Sequence, residues 1–321
     1  MISVPVVSVS IITYNHEKFI AKAIESVLNQ KTDFDYEIII GDDCSTDGTR
    51  KIIEEYRRRH PDKIQLILHP RRYKGIPGRL NNITNIYACR GKYTAMLDGD
   101  DYWVNDNKLQ IQVDFLERNN EYVAIANDAL KVNIKNEFIG KYYSGKHAIL
   151  KEDNSFTQED VLKAGWCLTQ TSSLLFRNKM FKEFPGWFWN IISADYVLLL
   201  LLSKYGNIKY LREPYTAYRI HDGSFTAMHY LSRKILGLKI KELQLVRKLF
   251  LPYRPNVLLF RNIRASATLN KRIATFKYGY ASCIRREENF WSAIVYLVKE
   301  SFSNFSFVYF FEKAVQNLKT D

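Results

Sequence analysis

Three polar turns stand out in the first hundred residues: Thr13-Tyr14-Asn15, Asp42-Asp43 and Asp98-Gly99-Asp100-Asp101. Each follows directly on a short apolar run. Aspartates this closely spaced suit a hard divalent cation with oxygen ligands, and Mn2+ or Mg2+ is commonly held by only one or two carboxylates with phosphate oxygens completing the shell. Such an ion acts as a Lewis acid that neutralises charge growing on a departing diphosphate. Asp42 or Asp43 can instead accept hydrogen bonds from a nucleobase or a ribose. A further acid, Asp195, heads the apolar segment that runs to Leu202; local sequence alone reads it as a helix cap, stabilised by hydrogen bonding and the helix dipole. No GxxxxGK[ST] or GxGxxG loop occurs, which weighs against ordinary nucleoside-triphosphatase and dinucleotide readings.

The elements that must position these groups alternate strand and helix. Val7 to Thr13 is β-branched and apolar, and Ile20, Ala23, Ile24, Val27 and Leu28 then recur at helical spacing between Glu17 and Gln30. A strand is expected at Tyr36 to Ile40, a helix through Ile52, Ile53 and Tyr56, and a strand at Ile64 to Leu68. After a loop through Pro70, Gly75, Pro77 and Gly78 come a helix at Asn82 to Cys89, a strand at Tyr93 to Leu97, a helix at Lys108 to Glu117 and a strand at Tyr122 to Ala126. Strands separated by helices indicate a parallel α/β sheet. Ligands bind beyond the carboxyl ends of such strands, so the three turns are expected to meet at one rim. A single Asx-rich turn is often only a capping device; five carboxylates at one edge need a cation or hydrogen-bond donors to relieve their repulsion.

Composition bounds the answer. The chain has 321 residues, 46% of them hydrophobic and 25% charged, values that exclude global disorder and low-complexity classes. Its 47 Lys+Arg and 34 Asp+Glu give a formal net charge of +13. Residues 229–321 hold 17 of those basic and 6 of those acidic residues, a net of +11, so almost all of the excess lies in the last third. No uncharged apolar stretch reaches the ~18 residues of a membrane span, and no cationic segment precedes the apolar N-terminus, so no secretory signal is expected. Cys44, Cys89, Cys167 and Cys283 form no CxxC pair; reduced thiols in a cytoplasmic protein are the simplest reading.

Four ordered motifs carry a resemblance: Val9-Ser-Ile-Ile-Thr-Tyr-Asn15, Ser26-Val-Leu-Asn-Gln30, Gly41-Asp-Asp-Cys-Ser-Thr-Asp-Gly-Thr49 and Leu97-Asp-Gly-Asp-Asp-Tyr-Trp103. Together they resemble family-two glycosyltransferases of the GT-A fold over roughly residues 7–225. Ile12 stands where many relatives have proline. The resemblance implies an α/β fold, Rossmann-like with a mostly parallel sheet flanked by helices, and inverting transfer of a sugar from a nucleotide-diphosphate donor, with Mn2+ or Mg2+ as cofactor. By it, Thr13, Tyr14, Asn15 and Glu17 line the nucleoside pocket, Asp43 meets the base, and Asp98 contacts ribose or metal. Asp100 is the principal metal ligand, a role Asp101 could share. It also makes Asp195 the general base, with Ala194 replacing the glutamate that often precedes it.

The closing segment Tyr215 to Ser224 resembles the end of many such enzymes and brings Arg219 or His221 to the diphosphate or the metal. Thr169 to Phe176 reads as a strand. Trp103, Trp187, Phe188 and Trp189 either stack on sugar rings or are buried. No Gln-x-x-Arg-Trp motif is present, which favours single-sugar addition over processive synthesis. The expected organisation is a catalytic domain over 1–228, with a nucleotide-sugar half to about 130 and an acceptor half after it, and a basic helical extension over 229–321. Basic residues interleaved with aromatics in that extension suit an anionic membrane surface on the inner face of the cytoplasmic membrane, where a glycan or lipid-linked acceptor would be met. Two rivals remain at this point: a nucleotidyltransferase acting on a sugar phosphate, and a non-enzymatic nucleic-acid-binding protein using the basic tail. No nucleic-acid-binding motif appears, so no nucleic-acid partner is expected.

Overall fold

The computed structural model describes residues 4–142, 153–164, 166–180, 183–224, 233–250, 269–270, 272–277 and 296. Its first strands and helices follow the sequence pattern. Strand β1 (Val7–Thr13), helix α1 (Ile20–Leu28), β2 (Tyr36–Asp42), α2 (Thr49–Arg59), β3 (Ile64–Leu68), α3 (Arg79–Ala88) and β4 (Tyr93–Asp98) alternate along the chain. In α1, Ile20, Ala23, Ile24 and Val27 are fully buried, the 3.6-residue stripe that covers one face of a sheet. Burying each of the larger three contributes about 1.5–3 kcal/mol. Arg57, Arg58 and Arg59 close α2, where positive charge favours the helix C-terminus.

The sheet order places the rim. β3, β2, β1 and β4 are parallel neighbours, with Thr13 opposite Asp42 and Ile12 opposite Asp98. All three polar turns therefore leave the sheet at the same edge, as the alternation requires.

The rest of the sheet is mixed. β5 (Tyr102–Trp103), α4 (Lys108–Arg118), β6 (Tyr122–Val132), β7 (Phe138–Lys141), β8 (Ser155–Phe156), α5 (Gln158–Ala164), β9 (Leu175–Arg177), α6 (Ala194–Leu202) and β10 (Asn207–Arg219) follow. β6 and β10 are parallel, whereas β9 runs antiparallel to both β4 and β6. The strand expected over Thr169 to Phe176 is reduced to its end: Thr171–Ser173 form a 3-10 turn, and β9 begins at Leu175. That turn sits at the rim, where the Ser172 hydroxyl accepts the Asp98 backbone N–H at 2.9 Å. A strand leaving it must run back from the rim, hence antiparallel to β4.

The residues group into two compact units: 1–158, 167–190 and 194–221 form the first, and 159–166, 191–193 and 222–321 the second. The first holds the main core, built from Val9, Ile11, Ile24, Ile38, Ile40, Leu97 and their neighbours. In the second, α7 (Arg233–Phe250) buries Leu236, Ile240, Leu243 and Val246 at helical spacing. Its Glu242, 4% exposed, accepts the backbone N–H groups of Ile192 and Ser193 at 2.7 and 2.8 Å. Of the basic extension over 229–321, only 233–250, 269–270, 272–277 and 296 are described, and Cys283 lies outside them. Among the described residues no helix is long and apolar enough to cross a membrane, and Cys44, Cys89 and Cys167 are free thiols.

Candidate active site

Two groups of loops build the rim. In the first, the turn after β1 is stitched to the turn after β2. Asn15, at φ 54°, donates its backbone N–H to Ser45 Oγ at 2.9 Å, and its Oδ1 accepts the Thr46 N–H at 2.8 Å. Glu17 Oε2 accepts the Gly48 N–H at 2.8 Å. Asp42 is fully buried and bound by Arg50 Nε at 2.6 Å and by the Ser45 N–H at 3.0 Å. Asp43 differs. Its Oδ2 receives the Gly78 N–H at 3.3 Å and faces Arg72 at 3.7 Å, but the buried Oδ1 has no partner. Burial pushes its carboxyl above the usual range, against the Gly78 N–H and Arg72. The Arg72 guanidinium also lies 3.7 Å over the Tyr14 ring, so a capped aromatic ring stands near the unused acceptor.

The second group is the turn after β4. Asp101 is 1% exposed and accepts three hydrogen bonds, from Gln170 Nε2 at 2.5 Å, Ser172 Oγ at 2.7 Å and the Arg219 backbone N–H at 2.9 Å. Asp100 accepts instead from a ring: His221 Nε2 lies 3.0 Å from its Oδ2. His16 Nε2 lies 3.8 Å from the same oxygen. Gly99 is required between them, because a Cβ there would come within 2.9 Å of the Thr13 side chain and 3.0 Å of His16 Nδ1.

The charges of this turn are unequal. Burial, then Asp100 and Asp195, push the Asp98 carboxyl up to about 8. Burial acts on Asp100 in the same sense, but His16 and His221 outweigh it and hold its carboxyl below the ordinary range. Asp101 is pushed well up by burial and by its two acidic neighbours. Asp195, in the first turn of α6, is among the charges that raise the Asp98 carboxyl, so the start of α6 lies near the end of β4. Asp195 Oδ1 accepts the Tyr196 N–H at 2.8 Å. Beside it the Cys167 thiol is pushed well up by burial and by Asp195.

The expected site residues are thus Thr13, Tyr14, Asn15, Glu17 and Asp43 on one side, and Asp98, Asp100, Asp101, His221 and Asp195 on the other. Arg219 differs from its expected place at a diphosphate. It is 2% exposed, and its side chain donates to Asp100 O at 2.7 Å, Asn133 O at 3.1 Å and Asn136 Oδ1 at 2.9 Å, so it braces the acidic turn. Trp103 is buried and donates its indole N–H to Ser172 O at 2.8 Å, and Phe188 is buried against Phe184; both serve packing. Trp187 and Trp189 stay partly exposed.

Sequence reading missed His16, Gln170, Ser172 and Arg72. Only His16 carried a local signal, as a ring directly after Tyr14-Asn15. Among the described residues no group of three or more His, Cys, Asp or Glu side chains is placed so that it could hold a metal ion.

Comparison with known proteins follows this geometry. A family model described as "Glycosyl transferase family 2" matches residues 8–183. An uncharacterized protein of Mycobacterium tuberculosis (strain ATCC 25618 / H37Rv) is 32% identical over 228 residues, covering 71% of this chain, and the match spans 62% of that relative's length. Among solved structures, Staphylococcus aureus TarS 1-349 in complex with UDP-GlcNAc superposes with a TM-score of 0.54 at 19% identity, covering 92% of this chain and 91% of that one. The mannosyltransferase PcManGT from Pyrobaculum calidifontis, in complex with GDP-Man and Mn2+, gives 0.58 at 15% identity, covering 93% and 80%. At these identities the two structures speak for the fold.

Proposed function

Because the chain belongs to glycosyl transferase family 2, we propose that it transfers one sugar, with inversion, from a uridine-diphosphate donor to a hydroxyl of a glycan or lipid-linked acceptor. One observation carries the reading: Asp98, at the end of β4, is raised by the charge of Asp100 in the same turn and of Asp195 on α6, on a sheet rim that also holds a buried Asp43 oxygen without a partner.

Uridine is favoured by hydrogen-bond arithmetic. Asp43 Oδ2 is engaged and Oδ1 is free, so the pocket offers one acceptor to one base N–H. Uracil presents a single imide N–H, whereas guanine presents adjacent N–H groups that call for two acceptors. Tyr14 supplies the flat face, and Asn15 and Glu17 hold the loop that carries it.

The acidic turn fits a divalent cation. A carboxylate held ionised between two imidazoles, next to an Asp98 carboxyl raised to about 8, is a set of donors whose repulsion positive charge would relieve. Asp100 would be the main ligand, with Asp98 and His221 beside it; Asp101 is committed to three donors and holds the turn. Mn2+ or Mg2+ bound there supplies Lewis-acid neutralisation of the departing diphosphate.

Asp195 takes the proton of the acceptor hydroxyl as its oxygen attacks the anomeric carbon. The bond from that carbon to the diphosphate breaks on the opposite face, and the electron pair leaves with the diphosphate. The Tyr196 N–H holds the Asp195 carboxylate in place. The basic segment 229–321 is proposed to hold the enzyme on anionic lipid, where its net charge of +11 is attracted; vesicle flotation at low salt checks this.

The test is a panel of UDP-, GDP- and dTDP-sugars scored by thermal stabilisation with and without Mn2+. A UDP-sugar should raise Tm only with the ion. Failure of every nucleotide-sugar to do so would sink the reading.

A further inference from the structure

The hairpin of β6 and β7 carries an apolar tip that neither the core nor the reaction uses. Ile134, Phe138 and Ile139 are 60%, 61% and 51% exposed, three of the eleven large apolar side chains left open among the described residues, and all within six positions. Single exposed apolar residues need no explanation, but three on one short turn do. The turn itself is well held. Asn133 Oδ1 accepts the Lys135 and Glu137 N–H groups at 2.9 and 3.0 Å, the Asn136 N–H donates to Asn133 O at 3.0 Å, and Asn136 closes the turn at φ 65°. Arg219 then bolts it to the acidic rim, since one guanidinium donates to Asn133 O, Asn136 Oδ1 and Asp100 O. Charge beside the tip is positive. Lys135 and Lys141 are exposed, and the one acid between Leu130 and Tyr142 is Glu137, whose Oε2 accepts Asn133 Nδ2 at 2.7 Å.

We propose that the β6–β7 hairpin is a membrane-docking element: Ile134, Phe138 and Ile139 enter the headgroup–acyl boundary of an anionic bilayer while Lys135 and Lys141 meet its phosphates. Apolar side chains flanked by lysines suit such a surface, because the long lysine stems stay in the apolar layer and their ammonium groups reach the anionic headgroups. A protein partner fits less well. A stable interface covers about 800 Å² per partner and is depleted in lysine, more than a turn and a four-residue strand present. Strand pairing with a second copy is also discouraged. Among the described residues β7 pairs on one side only, but it is short, ends at Lys141 and faces a register shift between Lys131 and Val132, the features that blunt an open edge. Seating the hairpin brings the Asp98–Asp101 turn, one arginine side chain away, to the lipid surface where a lipid-linked acceptor presents its hydroxyl.

This inference extends the lipid-surface part of the reading above but rests on residues outside 229–321, and the experiment separates the two. Full-length protein is floated with vesicles of equal parts phosphatidylglycerol and phosphatidylcholine at low salt. Phe138→Ser should lower the partition about tenfold, the weight of one half-exposed large side chain, and Lys135→Gln about fivefold. Circular dichroism and an unchanged Tm check that each variant folds. Phe138→Trp supplies an independent readout: its added fluorescence should shift to the blue on these vesicles and be quenched by brominated acyl chains. Flotation with an unquenched Trp at 138 and no loss in Phe138→Ser overturns the hairpin's role and leaves attachment through 229–321 standing. Failure of the wild type to float overturns both. A dimer in sedimentation that Phe138→Ser dissociates, with vesicle partition unchanged, makes the tip a contact between copies and overturns lipid docking.

Discussion

The turn after β2 and the turn after β4 are built from the same residue type, yet they treat their carboxylates in opposite ways. In each, one aspartate is saturated. Asp42 is closed off by Arg50 and the Ser45 N–H, and Asp101 by Gln170, Ser172 and the Arg219 N–H. In each, its neighbour is left open. The β2 turn leaves a single neutralisable oxygen on Asp43 near a cation-capped ring, whereas the β4 turn leaves Asp98 raised by the charges of Asp100 and of Asp195 on α6. The saturated acids hold backbone; the open ones wait for something else. A conflict tolerated in a fold is stability given up to a ligand, and the two turns point to two kinds: a flat N–H donor and a cation.

The contrast breaks most sharply at Asp195, which belongs to the open set. Asp195→Asn keeps the acceptor of the Tyr196 N–H, so donor binding should stay within about twofold while turnover falls by about 10²–10⁴, the range for a lost general base. Steady-state kinetics together with nucleotide titration check this; equal loss of binding and turnover would move Asp195 into the saturated class.

Asp101→Ala should be the costly change for folding. It strands three buried donors, and even partial relaxation should leave a loss of about 3 kcal/mol, read from chemical denaturation. Asp100→Ala should cost the apo-protein less, since it strands one ring contact from His221 rather than three donors, but Mn2+-dependent UDP affinity should drop by roughly 10²-fold by calorimetry. The pair is the cleanest comparison, because the residues are adjacent.

Asp43→Asn replaces the charged acceptor with an amide, and uridine-nucleotide affinity should fall about tenfold, the weight of one hydrogen bond to a charged group. Binding of the ion measured alone should not change.

The last prediction concerns pH. The folded-state Asp98 carboxyl, raised to about 8 from an unfolded value of 3.8, holds a proton that the unfolded chain has released. Its contribution to stability is therefore complete below about 4 and is lost as pH rises toward 8. Urea midpoints of the ion-free protein should decline over that window, and Asp98→Asn should flatten the decline. Because ligands must be deprotonated, ion affinity should climb over the same interval.

Much of the rim was legible in the chain. The apolar runs at Val7, Tyr36 and Tyr93 and the helical stripe of α1 gave the alternation, and alternation forces the turns to one edge. Asp43, Asp98, Asp100, His221 and Asp195 were all named on sequence motifs and resemblance. Arg219 was placed at a diphosphate and instead braces the turn, because its partners Asn133 and Asn136 belong to the β6–β7 turn, more than eighty residues away. The Thr169 to Phe176 stretch was read as strand; Thr171–Ser173 instead form a 3-10 turn whose Ser172 bonds Asp98 and Asp101, and only Leu175–Arg177 are strand. His16 went unnoticed because one ring after Tyr14-Asn15 looks like any turn residue until Asp100 is set beside it.

Hydrophobic periodicity and the geometry of crossovers are local properties, so the order of strands and the edge on which acids collect are written in the chain itself. Which acid is quenched and which is exposed to chemistry depends on donors arriving from Gln170, Ser172, Arg219 and His221. Those arrivals are set by the packing of β9 and β10 against β6, and no short-range pattern encodes them.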